Sequence, residues 1–150
     1  MHFRLIDQVL ERTPDRTVAL KNVSAAEEYL GDHFPGFPVL PGVFMIEAMV
    51  QAARESLALR GKPRFVLGQV RALRYGSFVR PGEALRVEVH VEKELPDGSV
   101  TFKGQGTVVR PPGVEGSGGP DTAVSGRFTM RPIRINGEGL PPTNSRGVDV

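Results

Sequence analysis

Two side chains in this sequence could perform acid–base chemistry, because each stands in a setting that is unusual for its residue type. Glu47 interrupts the apolar stretch 43–53, where an unpartnered carboxylate would be costly to bury. His33 opens the segment 33–42, which contains three prolines and two glycines and is typical of an ordered loop that holds a side chain in place. Histidine and glutamate together can move protons near neutral pH.

Each of these residues also has a non-catalytic interpretation. Glu47 could reach solvent at the edge of a helix or pair with an arginine, and a single histidine in a loop more often forms a structural hydrogen bond. Gln51 follows Glu47 by one helical turn and could orient its carboxylate through a hydrogen bond. The other histidines are weaker candidates, since His2 is terminal and His90 lies on the polar face of a predicted strand.

The loop leads directly into the first turn of a predicted helix, where backbone N–H groups have no partner within the helix. A carbonyl oxygen bound to the N–H of Gly42 or Val43 would be polarised there. Glu47 lies five residues after Gly42, which is about 7 Å along a helix axis and fits a short acyl unit. A base, an acid and a carbonyl site together fit removal of a proton α to a carbonyl with loss of a β-leaving group.

The remaining patterning predicts an α+β domain that positions these groups. A helix is predicted at about 43–60, and its apolar first half predicts burial on nearly all sides. A shorter helix is predicted at 24–31 from capping-box spacing. Because one sheet covers only one side of a helix, we expect a second copy of the chain to cover the other side. Five or six mostly antiparallel strands are predicted, at 5–9, 17–23, 65–75, 85–92, 100–109 and 122–130.

Composition limits the classes of function that are open to the chain. We expect one domain over 1–135, with a Gly/Pro-rich loop at 111–120 and a disordered tail at 136–150. The absence of cysteine excludes thiol nucleophiles, disulfides and cysteine-based zinc sites, and three histidines make a metal site unexpected. A net charge of +2 without a basic run does not favour nucleic-acid binding. We expect no membrane span and a cytoplasmic location.

The run from His33 to Gln51 resembles the signature of the FabZ-type 3-hydroxyacyl-[acyl-carrier-protein] dehydratases, which have the hotdog fold. The resemblance covers roughly residues 3–130, with further matches at 19–24 and 79–83. It implies a curved antiparallel sheet wrapped around the central helix. It also implies a hydro-lyase that converts (3R)-hydroxyacyl-acyl-carrier-protein to the trans-2-enoyl product in fatty-acid or related acyl-chain biosynthesis, within lipid metabolism.

The resemblance also implies roles for individual residues. His33 would remove the C2 proton, Glu47 would assist departure of the C3 hydroxyl as water, and the N–H groups of Gly42 and Val43 would bind the thioester carbonyl. The site would be shared across a homodimer, with histidine from one chain and glutamate from the other, either as a dimer or as a trimer of dimers. The substrate would arrive on the phosphopantetheine arm of acyl carrier protein, so no metal or other cofactor is implied.

Other assignments have ordinary structural alternatives. Phe37 and Pro41 could line an acyl tunnel or belong to the packed core. Arg71 stands where the family usually has an acidic or polar residue, and 76–78 replaces a more basic stretch, which leaves the carrier-docking surface open. Four basic residues after the active-site helix could meet an acidic carrier protein or form a solvated helix end: Arg54, Arg60, Lys62 and Arg64.

Two alternatives to the dehydratase stay open at this point. One is another hotdog enzyme, a CoA-thioester hydratase or a thioesterase. The other is a non-catalytic subunit that binds acyl chains or forms heterodimers. The presence of both His33 and Glu47 argues against the non-catalytic alternative.

Overall fold

A computed structural model describes residues 3–114 and 121–134 of the chain. His2, the predicted tail at 136–150 and most of the predicted loop at 111–120 lie outside the described residues. One α-helix, one 3₁₀ helix and six strands form an α+β domain, as predicted. In chain order the elements are β1 (Gln8–Arg12), β2 (Arg16–Asn22), a 3₁₀ helix (Glu28–Gly31), α1 (Gly42–Leu59), β3 (Phe65–Tyr75), β4 (Ala84–Glu94), β5 (Val100–Val109) and β6 (Thr122–Pro132).

The six strands form one sheet in the order β1-β2-β4-β5-β6-β3, and every neighbouring pair is antiparallel. Consecutive strands pair as hairpins except at β3, which follows the helix and joins the far edge of the sheet beside β6. This connection brings the C-terminal end of β3 to the start of α1. The topology therefore places one edge strand beside the segment that contains His33.

The core lies between the concave face of the sheet and one side of α1. The helix contributes Met45, Ala48 and Met49, which pack against large apolar side chains of β4, β5 and β6. Each such side chain stabilises the fold by about 1.5–3 kcal/mol through burial. Gly104 permits this close approach, because a Cβ there would lie 2.6 Å from the sulfur of Met49.

Two predicted elements differ from the structure. The first strand was expected at 5–9 but runs from Gln8 to Arg12, because Leu5 is 1% exposed in the core and its N–H donates to Gln51 of the helix. The predicted helix at 24–31 is a turn followed by the short 3₁₀ helix. There the carboxylate of Glu27 accepts from the N–H of Ser24 at 3.3 Å, but it also pairs with Lys21 of β2.

Burial of α1 is one-sided within a single chain. The face away from the sheet carries Val43, which is 64% exposed, and Glu47, whose side chain is 36% exposed. The predicted burial on nearly all sides, which assumed that a second copy of the chain covers this face, therefore stays a prediction. The single sheet covers one side of the helix. The opposite side, which carries Val43 and Glu47, is not covered by the sheet.

Candidate active site

The loop before α1 holds the imidazole of His33 through hydrogen bonds within the loop. The N–H of Val39 donates to the His33 carbonyl at 3.0 Å, and Nδ1 of His33 lies 3.1 Å from the Val39 carbonyl oxygen. Because a carbonyl can only accept, Nδ1 must carry the proton in this contact. The other ring nitrogen, Nε2, is then unprotonated in the neutral imidazole and can accept a proton.

The imidazole lines a cavity of about 270 Å³ at the N-terminal end of α1. Most of its walls are apolar, with Leu40, Met45 and Phe78 among them, and Gly42 lies at the same surface. Such a cavity suits an acyl chain better than a charged metabolite, because a charged group would lose its hydration there.

The start of the helix, where Gly42 lines this cavity, has unpaired backbone donors. The N–H groups of Phe44 and Met45 donate to the Pro41 carbonyl at 3.0 and 3.3 Å. Within the described residues, the N–H groups of Gly42 and Val43 have no hydrogen-bond acceptor. These two donors stand at the positive end of the helix dipole, where an oxygen that gains negative charge is stabilised.

Tyr75 closes one side of this helix end and was not predicted as a site residue. A Cβ on Gly42 would lie 2.6 Å from two atoms of the Tyr75 ring, so the ring rests directly against the glycine. Partial burial raises the pKa of the Tyr75 phenol above its ordinary value of 10.0, which keeps the hydroxyl protonated. The sequence clue to this residue was its place at the end of a predicted strand.

Glu47 lies on the outward side of α1 and does not line the cavity of its own chain. Its carboxylate accepts a hydrogen bond from Nε2 of Gln51 at 3.1 Å, the contact expected from their spacing. The guanidinium of Arg54 lies 3.6 Å away, so the alternative of arginine pairing is also present. Within one chain, His33 and Glu47 therefore belong to different surfaces.

Gln51 connects Glu47 to the N-terminal segment, a link that sequence reasoning missed. Its Oε1 accepts from the N–H of Leu5 at 2.8 Å, and its Nε2 also donates to the Phe3 carbonyl at 3.0 Å. The Phe3 ring packs edge-on against Phe44 of the helix, with the ring centres 4.9 Å apart. The side chain that supports Glu47 is thus fixed by a segment more than forty residues earlier.

The predicted tunnel residues lie beside the cavity, not among its lining residues. Phe37 is 41% exposed and packs edge-on against Phe78, with the guanidinium of Arg80 5.1 Å from its ring centre. Pro41 is buried at the start of the helix. A role for Phe37 and Pro41 in binding the acyl chain remains a prediction.

Most of the basic residues predicted to dock a carrier protein are paired with acidic residues of the same chain. Arg60 forms an ion pair with Asp15 and also donates to the Pro14 carbonyl at 2.6 Å. Lys62 pairs with Glu94 at 2.8 Å. Arg54 pairs with the Glu47 carboxylate, and within the described residues Arg64 alone of the four has no ion pair. This balance fits the alternative of an ordinary helix end.

The remaining described histidine is remote from the cavity. His90 lies on the outer face of β4, where its Nε2 is 2.7 Å from the Glu88 carboxylate. A hydrogen bond from Arg16 is the main reason that the pKa of Glu88 falls to about 2. Within residues 3–114 and 121–134, no three His, Asp or Glu side chains group to hold a metal ion, and no helix is long and apolar enough to cross a membrane.

Comparison with known proteins identifies relatives of this chain. Residues 10–110 match the model of the ApeI-like family, described as ApeI dehydratase. A FabZ 3-hydroxyacyl-[acyl-carrier-protein] dehydratase from Pelotomaculum thermopropionicum is 45% identical over 96 residues, which cover 61% of this chain and 68% of that protein. A FabZ dehydratase from Ligilactobacillus salivarius is 41% identical over 95 residues, covering 59% of this chain and 66% of that protein.

Solved structures resemble the chain over a larger part of its length. The dehydratase heterocomplex ApeI:P from Xenorhabdus doucetiae has a chain that superposes with a TM-score of 0.60 at 17% identity. That match covers 87% of this chain and 99% of the other. The predicted hotdog fold and the predicted resemblance to FabZ-type dehydratases are confirmed.

Proposed function

Because the chain belongs to the ApeI-like dehydratase family, we propose that it dehydrates (3R)-hydroxyacyl thioesters on acyl carrier protein to the trans-2-enoyl products. The observation that carries the proposal is the position of the His33 imidazole at the cavity and the hydrogen bond that sets its tautomer. Its Nδ1 is held by the Val39 carbonyl at 3.1 Å, so Nε2 is available as a base. Gly42 lines the same cavity, and within the described residues the N–H groups of Gly42 and Val43 have no hydrogen-bond acceptor.

In the proposed reaction His33 removes the proton from C2, and the electron pair of that C–H bond forms the C2–C3 double bond. The C3–O bond breaks, and Glu47 gives a proton to the departing hydroxyl so that it leaves as water. Negative charge that gathers on the thioester oxygen is stabilised by the N–H groups of Gly42 and Val43. One proton must then pass from His33 to Glu47, directly or through water, before the next turnover.

We propose that a second copy of the chain supplies Glu47 to the cavity that contains His33. The outward position of Glu47 supports this arrangement, because the carboxylate does not line the cavity of its own chain. The exposed side chain of Val43 on the same helix face would also gain from being covered. The proposed assembly is a homodimer, alone or within a trimer of dimers.

The proposed chemistry moves one proton and one hydroxyl group and transfers no electrons, so it needs no redox cofactor, and the proposed roles of His33, Glu47 and the backbone N–H groups account for each step without a metal. The phosphopantetheine arm of the carrier protein would bring the acyl group to the cavity. We place the reaction in the cytoplasm, in fatty-acid or related acyl-chain biosynthesis. The absence of cysteine in the sequence is compatible with that compartment.

The direct test is turnover of short and long (3R)-hydroxyacyl-carrier-proteins, followed by the absorbance of the conjugated enoyl thioester. We expect enoyl product from the wild-type chain and about 10²-fold to 10⁴-fold less from His33→Ala, the usual contribution of a general base. Release of free thiol and free acid would instead identify a thioesterase. A folded protein that yields neither product would favour the non-catalytic alternative.

A further inference from the structure

Four basic side chains form a second group on the outer, convex face of the sheet, which we call the outer basic cluster: Arg71, Arg74, Lys103 and Arg127. In the strand register, Arg127 of β6 stands opposite Arg71 of β3 on one side and opposite Lys103 of β5 on the other. Three cations therefore lie in one row across three neighbouring strands. Like charges directly opposite each other destabilise a sheet, so this row is costly unless an anion meets it.

A β-bulge brings Arg74 to the same face as this row. Between Arg71 and Arg74 the strand β3 advances three residues, while its partner β6 moves two, from Arg127 to Ser125. In a regular strand, residues three apart point to opposite faces, and the extra residue of the bulge reverses that relation. Ala72 lies within the bulge with φ +50°, a conformation uncommon for a residue with a Cβ.

Three of the four cluster residues line one depression, and the cluster has few acidic partners. A cavity of about 220 Å³ is lined by Arg74, Lys103 and Arg127, together with the polar side chain of Gln105. Arg127 pairs with Glu92 at 3.0 Å. Over residues 3–114 and 121–134, the other three cations of the cluster have no ion pair. The basic residues at the end of α1 differ, since most of those are paired.

One member of the outer basic cluster, Arg74, is the chain neighbour of a residue that lines the active-site cavity. Tyr75 follows Arg74 in β3, points to the inner face and rests against Gly42 beside His33. We propose that the outer basic cluster is the docking surface for the acidic carrier protein that delivers the substrate, an inference that rests on the proposed function. A carrier bound there would contact the strand that also forms a wall of the cavity.

The test compares charge reversals at the two basic surfaces of the molecule. Lys103→Glu and Arg74→Glu change the outer basic cluster. Lys62→Glu is the matched change near the C-terminal end of α1, where Lys62 forms an ion pair with Glu94. Binding of a holo-acyl carrier protein is measured by titration at low and at physiological ionic strength. We expect each outer reversal to weaken binding about tenfold at low salt and to reduce its salt dependence, because complementary charge is lost.

Turnover separates docking from damage to the catalytic cavity. With the outer variants we expect KM to rise for carrier-bound substrate, while kcat on that substrate and turnover of a small free thioester change little. The variants should keep or raise the Tm of the wild-type chain, since like-charge repulsion in the sheet is relieved. Equal losses on both substrates, or a loss with Lys62→Glu as large as with Lys103→Glu, would overturn the proposal.

Failure of docking and failure of the proposed function give different results. Carrier binding that depends on Lys103 without enoyl product would reject the dehydratase and keep the docking surface. Enoyl product from free thioesters, with carrier binding insensitive to Lys103 and Arg74, would keep the dehydratase and reject the docking surface. The titration needs no turnover, so it decides the docking proposal in either case.

Discussion

His33 and Glu47 carry the proposed chemistry, but two different kinds of structure hold them. His33 is fixed within a short loop, where its backbone and its imidazole both bond to Val39, six residues away. Glu47 depends on Gln51, which in turn is anchored by the backbone of Phe3 and Leu5 at the start of the chain. His33 is therefore held by residues that are close to it in the sequence, whereas Glu47 is held by contacts with residues that are far away in the sequence.

The contrast extends to solvent and charge. The imidazole lines a mainly apolar cavity, whereas the Glu47 carboxylate is partly exposed and lies 3.6 Å from the Arg54 guanidinium. Excluding water strengthens the electrostatic interactions of reacting groups, and in the proposed reaction the acid reaches the cavity from another surface. In the proposed function, therefore, the base is positioned within one chain, whereas the acid is supplied by a second copy of the chain.

We expect the largest effect at His33, which is held by residues close to it in the sequence. His33→Asn keeps a side-chain N–H that can donate to the Val39 carbonyl but offers no ring nitrogen as a base. We expect kcat to fall about 10²-fold to 10⁴-fold while the Tm stays near that of the wild-type chain. Activity close to wild type in His33→Asn would mean that His33 serves only to shape the loop.

Glu47→Gln tests the proposed role of the Glu47 carboxylate, whose position depends on contacts that are distant in the sequence. The amide oxygen can still accept from Gln51, so orientation is kept while the exchangeable acid proton is lost. We expect kcat to fall by about 10²-fold or more. Arg54→Met is the matched control, because it removes the neighbouring charge but leaves the carboxylate. If Arg54→Met costs as much as Glu47→Gln, the ion pair rather than the carboxylate matters.

Gly42→Ala tests the proposed binding site for the thioester carbonyl at the start of α1. The new Cβ would meet the Tyr75 ring at 2.6 Å, so the ring and the start of α1 must move apart. A displacement of about 1 Å in a reacting group costs on the order of 10²-fold in rate. The double variant Gly42→Ala/Tyr75→Ala removes the clash and should recover part of kcat. Full activity of the single variant would reject the tight fit.

The smallest expected effect comes from the long-range support of Glu47. Gln51→Leu removes three hydrogen bonds, to Glu47, Phe3 and Leu5. We expect the free energy of unfolding to fall by about 1–3 kcal/mol, with a loss of about tenfold in kcat. Denaturant titration and steady-state kinetics measure the two effects. A large stability loss with unchanged kcat would show that Gln51 supports the fold without positioning Glu47.

Much of the fold could be predicted because it depends on local pattern. The helix α1 begins and ends within one residue of the predicted 43–60, and β3 and β5 have their predicted bounds. The first strand was misplaced because Leu5 has the alternation of a strand but fills the core beside the helix. Only the tertiary structure reveals that competition, since the hydrogen bond to Gln51 spans 46 positions.

The site was predictable in its residue types and less so in its surroundings. The spacing of Glu47 and Gln51 was sufficient to predict their hydrogen bond, because i and i+4 share a helix face. Contact between Tyr75 and Gly42 depends on how the end of β3 meets the helix. The row of cations through Arg127 depends on strand register. Neither can be derived from neighbours in the sequence.

The most direct test of the central claim is complementation between two inactive variants. His33→Ala and Glu47→Gln chains are mixed under conditions that exchange subunits, and enoyl formation is followed. If histidine and glutamate come from different chains, each mixed dimer holds one intact site, and about a quarter of wild-type activity should return. If both act within one chain, every site lacks one group, and no recovery in a mixture with proven exchange would contradict the account.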